Sequence, residues 1–188
     1  MTKRNNWPVL PRQFYARPTI DVARGLLGQA IVHVDENGER AGRIVEVEAY
    51  VASYNGQPDL AAHSHRGITP RTRVIYGPPG HAYVYLVYGM HECLNVTAEP
   101  EGTPGCVLIR ALEPINGIEN ANGPGKLTKA MGISRALYGH DLLRDPLTIR
   151  RLTEPAEEIA TSARIGIRHC ADWPLRFFLR GNAHVSRG

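Results

Sequence analysis

AIVHVDENGERAGRIVEVEAY, residues 30–50, restricts the architecture of this chain from the start. Two runs of alternating apolar and polar residues, AIVHV and GRIVEVEAY, flank the turn-forming DENGE. Alternation with a period of two marks half-buried strands, and turn residues between two such runs mark a hairpin. In the second run Ile44, Glu46, Glu48 and Tyr50 share one side, and Val45, Val47 and Ala49 the other. The valine side faces a core. Two carboxylates and a phenol face away from it, roughly 6.5–7 Å apart along the strand. That separation is close to the roughly 6.5–9.5 Å of an inverting carboxylate pair in sugar-cleaving enzymes. The same pattern also describes a solvated strand face with two surface glutamates.

A second hairpin is predicted at HAYVYLVYGMHECLNVTA (81–98), turning near Tyr88–Gly89. Tyr83 and Tyr85, two apart, point to the same side of their strand. CVLIRALEP (106–114) is a β-branched strand that carries Arg110, and LTIRRL is a further strand. RIGIRH (164–169) and PLRFFLRG (174–181) are predicted to close the sheet. TIDVARGLLG (19–28) has helical spacing, with Thr19 as N-cap and Gly28 as stop. NGPGKLTKAMGI (122–133) is a Gly-rich loop entering a helix, and residues 1–12 form an arm. Residues 52–80 are rich in Gly, Pro, His and Arg, a long irregular segment of the kind that often carries function. The fold class is α+β: one domain, residues 1–188, with a mostly antiparallel sheet and a few short helices.

A chain of 188 residues buries a core without staples. Three widely spaced cysteines (Cys93, Cys106, Cys170) form no disulfide framework, which points to a reducing cytoplasm. No apolar run approaches the roughly 20 residues of a membrane span, and the N-terminal residues do not read as a signal peptide. The formal net charge is +4, supplied almost entirely by arginine, since Lys3, Lys126 and Lys129 are the only lysines. Arginine binds phosphate through a planar fork and stacks on bases, so the charge tilts the partner toward nucleic acid or an anionic substrate. TPRTR (69–73), with Arg71 and Arg73, is a compact basic loop, suited to phosphate or simply a solvated turn.

Other chemistries find little support. His63 and His65 form an HxH pair, but no tight spacing supplies a third metal ligand, so hydrogen bonding is expected and no metal or cofactor. GPGKLTKAMG resembles an anion-binding helix N-terminus but fails the P-loop spacing. No GxGxxG follows a strand, and there is no GxSxG elbow. What remains is a strand carboxylate beside an aromatic ring, a Tyr-rich hairpin, a strand arginine and scattered basic residues. Such parts suit an enzyme that holds a planar base between rings and attacks its sugar.

Six segments in order, RIVEVEAY, AAHS, PPGHAYVYLVYGMHECLN, CVLIRALEP, NGPGKL and RIGI with PLRFF, resemble the alkyladenine (3-methyladenine) DNA glycosylase family. The likeness runs from LPRQFY to GNAHVS, and the family excises alkylated and deaminated purines. It implies a curved sheet with a protruding β-hairpin, similar to the C-terminal domain of formyltransferases. By the same resemblance Glu48 is the general base that activates water. Arg110 and the backbone carbonyl of Ile165 help to hold that water. Tyr50 forms one face of a base pocket, His63 and Tyr85 the other, and Asn95 screens the purine's substituents. Tyr88 is the wedge that replaces the flipped nucleotide. Tyr83 supports the pocket wall and reaches toward the DNA backbone. Apart from the resemblance, the basic TPRTR loop and the Gly-rich NGPGK loop offer Arg71, Arg73 and Lys126 as DNA-binding cations. Glu46 is a bystander or a supporting partner. His65 stands where many members have a small residue. The implied partner is double-stranded DNA containing damaged purines, bound by a cytoplasmic monomer. A non-catalytic nucleic-acid-binding module of the same fold is the alternative.

Overall fold

The computed structural model describes residues 7–87, 89–152 and 155–186. The first alternating pair forms strands β1 (Ala30–Asp35) and β2 (Gly38–Tyr50), antiparallel from Ala30 opposite Arg43 to Asp35 opposite Gly38. The Asp35 carboxylate accepts the Asn37 amide at 2.8 Å. Gly38 takes φ 113°, where a side chain would be strained. Strands β3 (Ser53–Tyr54) and β4 (Gln57–Pro58) make a small separate hairpin. The tyrosine-rich hairpin is β5 (Ala82–Val87) with β6 (His91–Thr97). Tyr88, expected at its turn, lies outside the described residues. The nearby Met90 is 73% exposed. Strands β7 (Cys106–Asn116), β8 (Leu147–Arg150), β9 (Ile159–Ser162) and β10 (Arg176–Leu179) complete one antiparallel sheet.

The main path of that sheet is β5-β6-β7-β2-β1-β8, with β10 on β2 and β9 on β10. β2 is its organising strand. One edge pairs with β7 from residue 41 to 50. The other edge pairs with β1 through residue 43 and then with β10 over residues 46–48. Changing partners part-way along one strand curls the sheet.

Bulges help. Ile44 opposes Leu112, Glu46 opposes Ala111 and Val47 opposes Ile109, so Val45 on β2 and Arg110 on β7 have no cross-strand partner. Such bulges bend strands and re-aim side chains. They also correct the simple alternation: Ile44 is not with Glu46 and Glu48 but in the main core with Val45, Val47 and Ala49.

Helix α1 (Arg12–Tyr15) and helix α2 (Thr19–Leu26) precede the sheet, and α3 (Pro124–Met131) follows β7. Val22, Ala23 and Leu26 of α2 and Leu127 and Met131 of α3 are fully buried in the same core as Val47, Ile109 and Phe177. Thr19 is the first helical residue rather than the cap. Its amide and hydroxyl both donate to Glu99, at 2.6 and 2.8 Å, so the cap comes from a distant loop. Residues 1–6 of the expected arm lie outside the described residues. The rest is packed: Leu10 is 1% exposed, Val9 bridges to Arg150, and Arg12 pairs with Asp141.

RIGIRH is not a strand. The segment runs irregularly, with Gly166 at φ 73°, and the strand preceding β10 is β9 instead. The polar groups of Arg164 and Ile165 go to buried carboxylates rather than to a ladder.

Candidate active site

The polar face of β2 is not solvated. Glu46 and Glu48 both have zero exposure, covered by β10, the 164–166 loop and Ser186 near the C-terminus. Arg110, 7% exposed, serves both carboxylates: Nε donates to Glu46 at 2.9 Å and Nη1 lies 3.2 Å from Glu48 Oε1. Of the two open descriptions of this face, the buried carboxylate pair is the one the fold builds.

The two glutamates differ in what remains free. Glu46 accepts four hydrogen bonds: from Arg110 Nε, from Arg176 Nε at 2.7 Å, and from the Ser186 amide and hydroxyl at 2.7 and 2.9 Å. These four donors engage both oxygens of Glu46, three on Oε1 and one on Oε2. Burial alone would raise its pKa, but Arg176, Ser186 and the Arg110 charge hold it below the usual range. Glu48 accepts two hydrogen bonds from described residues, the Ile165 amide on Oε1 at 2.7 Å and the Tyr50 hydroxyl on Oε2 at 2.9 Å. With Arg110 as third neighbour, Oε2 keeps a lone pair available. Burial and the facing Glu48 carboxylate push the Tyr50 phenol far above its ordinary pKa, so it remains a donor. Ile165 meets Glu48 through its backbone amide.

Tyr50, Arg110 and Ile165, the three groups that touch Glu48, line one cavity of about 550 Å³. His63, Tyr83, Tyr85 and Asn95 line it too. The volume falls in the range of small-molecule pockets, about 300–1,000 Å³. His63 and Tyr85 meet edge to face at 4.6 Å, and the Tyr83 and Tyr85 rings are 5.3 Å apart. His63 Nδ1 and the Tyr83 hydroxyl are hydrogen-bonded at 2.8 Å. Loss of hydration within this cluster, then Arg71 and Arg66, push the His63 pKa down to about 4. His63 is therefore neutral near pH 7. Burial pushes Tyr83 up to about 12. Tyr83 is fully buried, inside the wall.

Asn95 pairs with Tyr83 across the hairpin, and its Nδ2 donates to the Tyr83 carbonyl at 3.1 Å. Arg71 is exposed, lines the cavity and lies over the Tyr85 ring at 5.0 Å. Arg73 and Lys126 are exposed and do not line it. His65 is exposed, and no group of three or more metal-ligating side chains occurs among the described residues.

Two features escaped sequence reasoning. Cys93 and Cys106 line the cavity, and burial pushes their thiols to about 11 and about 12. Their cross-strand positions opposite Tyr85 and Thr97 are the signal a register argument could have used. The second is a buried ion pair of Asp59 and Arg164, 105 residues apart, which no local pattern announces.

The methylpurine-DNA glycosylase family model matches residues 13–183. A Legionella pneumophila protein named "Putative 3-methyladenine DNA glycosylase" is 49% identical, covering 95% of this chain and 98% of its own length. Proteins of the same name from Methanoculleus marisnigri and Myxococcus xanthus are 48% and 46% identical. They cover 95% and 97% of this chain, and 98% and 95% of their own lengths. By the extent of these matches, this chain belongs to the methylpurine-DNA glycosylase family.

Proposed function

We propose that this protein is a monofunctional DNA N-glycosylase that acts on flipped-out alkylated or deaminated purines in double-stranded DNA. The 3-methyladenine, 7-methylguanine, hypoxanthine and etheno-adenine class is its proposed substrate range. The observation that carries this reading is Glu48: a buried carboxylate with a spare lone pair, whose neighbours all line an aromatic cavity. The base enters the cavity beside Tyr50, with His63 and Tyr85 as the opposing wall and Asn95 at its edge. Base–aromatic contact returns about 1–3 kcal/mol, against the few kcal/mol that unstacking costs. Neutral His63 and protonated tyrosines suit a wall that receives a cationic alkylated purine, because none of them repels it.

Water at Glu48 Oε2 attacks the sugar carbon as the glycosidic bond lengthens. Its proton passes to Glu48, and the purine leaves with the bonding electrons. Arg110 and the Ile165 amide hold the carboxylate oriented before the reaction. The developing oxocarbenium charge faces that carboxylate. Among the described residues no lysine lines the cavity, so no Schiff base forms and the abasic strand stays intact. Tyr88 is proposed as the wedge from its place in the sequence.

A second crevice of about 500 Å³ shares His63 and Arg71 with the cavity. It adds Arg66, Arg168 and His169, and among the described residues no carboxylate lines it. This arrangement supports a path for the DNA backbone next to the flipped base. A monomer acting in the cytoplasm fits one duplex on one such face.

The competing reading is a nucleic-acid-binding module without catalysis. A pure binder gains nothing from a buried glutamate with a lone pair to spare. The deciding experiment incubates the protein in EDTA with duplexes carrying hypoxanthine, and with methylated DNA, and measures base release. Release is expected, and alkali should then cleave at the abasic sites. DNA binding without release from either substrate would favour the binding module.

A further inference from the structure

Asp59 and Arg164 form the most deeply buried ion pair among the described residues, with both side chains at zero exposure. The guanidinium donates to both Asp59 oxygens, at 2.7 and 2.9 Å, and to the Ala49 carbonyl at 3.1 Å. Asp59 also accepts the Val51 amide at 3.2 Å and the Ala61 amide at 3.1 Å. The Arg164 guanidinium lies over the Tyr50 ring at 4.7 Å. These contacts tie together the end of β2, the 59–61 turn leading to His63, and the 164–165 loop. Ile165 follows Arg164 directly and donates its amide to Glu48. Both hydrogen-bond donors of Glu48 therefore depend on Arg164, Ile165 through the peptide bond and Tyr50 through ring stacking.

We infer that Arg164, locked by Asp59, is a positioning residue that sets the Ile165 amide and the Tyr50 hydroxyl on the Glu48 carboxylate. The inference rests on Glu48 being the proposed base. A buried ion pair is a poor source of stability, since desolvation offsets most of the attraction. It is a good source of direction, because a bidentate fork fixes both angle and distance. Aliphatic side chains would fill the same space without fixing the orientation of the 164–165 backbone.

The test is a double-mutant cycle between Arg164→Met and Glu48→Gln. Single-turnover excision of hypoxanthine is measured alongside affinity for a duplex carrying a tetrahydrofuran abasic analogue. Arg164→Met should slow excision about 10²-fold, the cost of a 1 Å misplacement, while affinity changes less than about threefold. Arg164→Lys should recover little of the rate, because lysine keeps the charge without the fork. On top of Glu48→Gln, Arg164→Met should cause no further loss, since groups that act as a unit are not additive.

An equal loss in both backgrounds, or a loss confined to DNA affinity, would overturn the inference. If Arg164→Met alone does not fold, the cycle is run with Asp59→Asn/Arg164→Met, which leaves neither buried charge behind. The base assignment fails separately: Glu48→Gln at the wild-type rate would remove it whatever Arg164 does.

Discussion

Replacing Glu48 with Gln changes one oxygen to an NH₂ group and leaves the shape intact. If the Gln oxygen takes the Oε1 position, it still accepts the Ile165 amide and still faces Arg110. The new NH₂ then sits 2.9 Å from the Tyr50 hydroxyl, which can accept as well as donate. Arg110 keeps its hydrogen bond to Glu46 at 2.9 Å, so no buried charge is stranded. The structural loss is the difference between charged and neutral hydrogen bonds, about 1–2 kcal/mol. For a domain of this size that lowers Tm by about 2–8 °C.

The chemical loss is larger. An amide nitrogen cannot take the proton of the attacking water, so the whole general-base contribution of about 10²–10⁴-fold disappears. That corresponds to about 2.7–5.5 kcal/mol of barrier. Single-turnover excision from a hypoxanthine duplex, with affinity for an abasic analogue measured in parallel, separates the two losses. The variant should bind DNA as the wild type does and excise at least about 10²-fold more slowly. A folded Glu48→Gln variant within about tenfold of the wild-type rate would refute the general-base role.

Two further outcomes are expected. The folded pKa of His63 lies at about 4, below its unfolded value of about 6.5. The unfolded chain therefore binds more protons between those values, and stability falls as pH drops through that window. His63→Gln should flatten this part of the pH–stability curve, and parallel curves for the two proteins would contradict the assignment. DNA affinity should fall steeply with salt, and Arg71→Ala or Arg73→Ala should each reduce the log–log slope by about 0.9 if it meets one phosphate. Slopes equal to the wild type would take both arginines off the backbone path.

Several strands were legible because their signals are local. β1, β2, β5 and β6 follow hairpin patterns bounded by turn residues, β7 follows a β-branched run, and α3 follows its Pro-Gly start. The aromatic wall was legible for the same reason, since Tyr83 and Tyr85 are two apart on one strand. Thr19 was misjudged as a cap because its true partner, Glu99, is 80 residues away. RIGIRH was misjudged as a strand because β propensity describes a side chain on a pleated surface, whereas this segment's polar groups answer to Asp59 and Glu48.

The sequence by itself determined the alternation of β2, and with it the placing of Glu46, Glu48 and Tyr50 on the face away from the valines. It also determined the tyrosine hairpin and the arginine-dominated charge. Only the tertiary structure decided which glutamate is the less engaged by donors. Arg110, Arg176 and Ser186 place four hydrogen bonds on Glu46, while Ile165 and Tyr50 place two on Glu48. Hydrogen-bond capacity is filled by whatever the fold brings within about 3 Å, and here the decisive donors to these two residues come from as far as 140 positions along the chain.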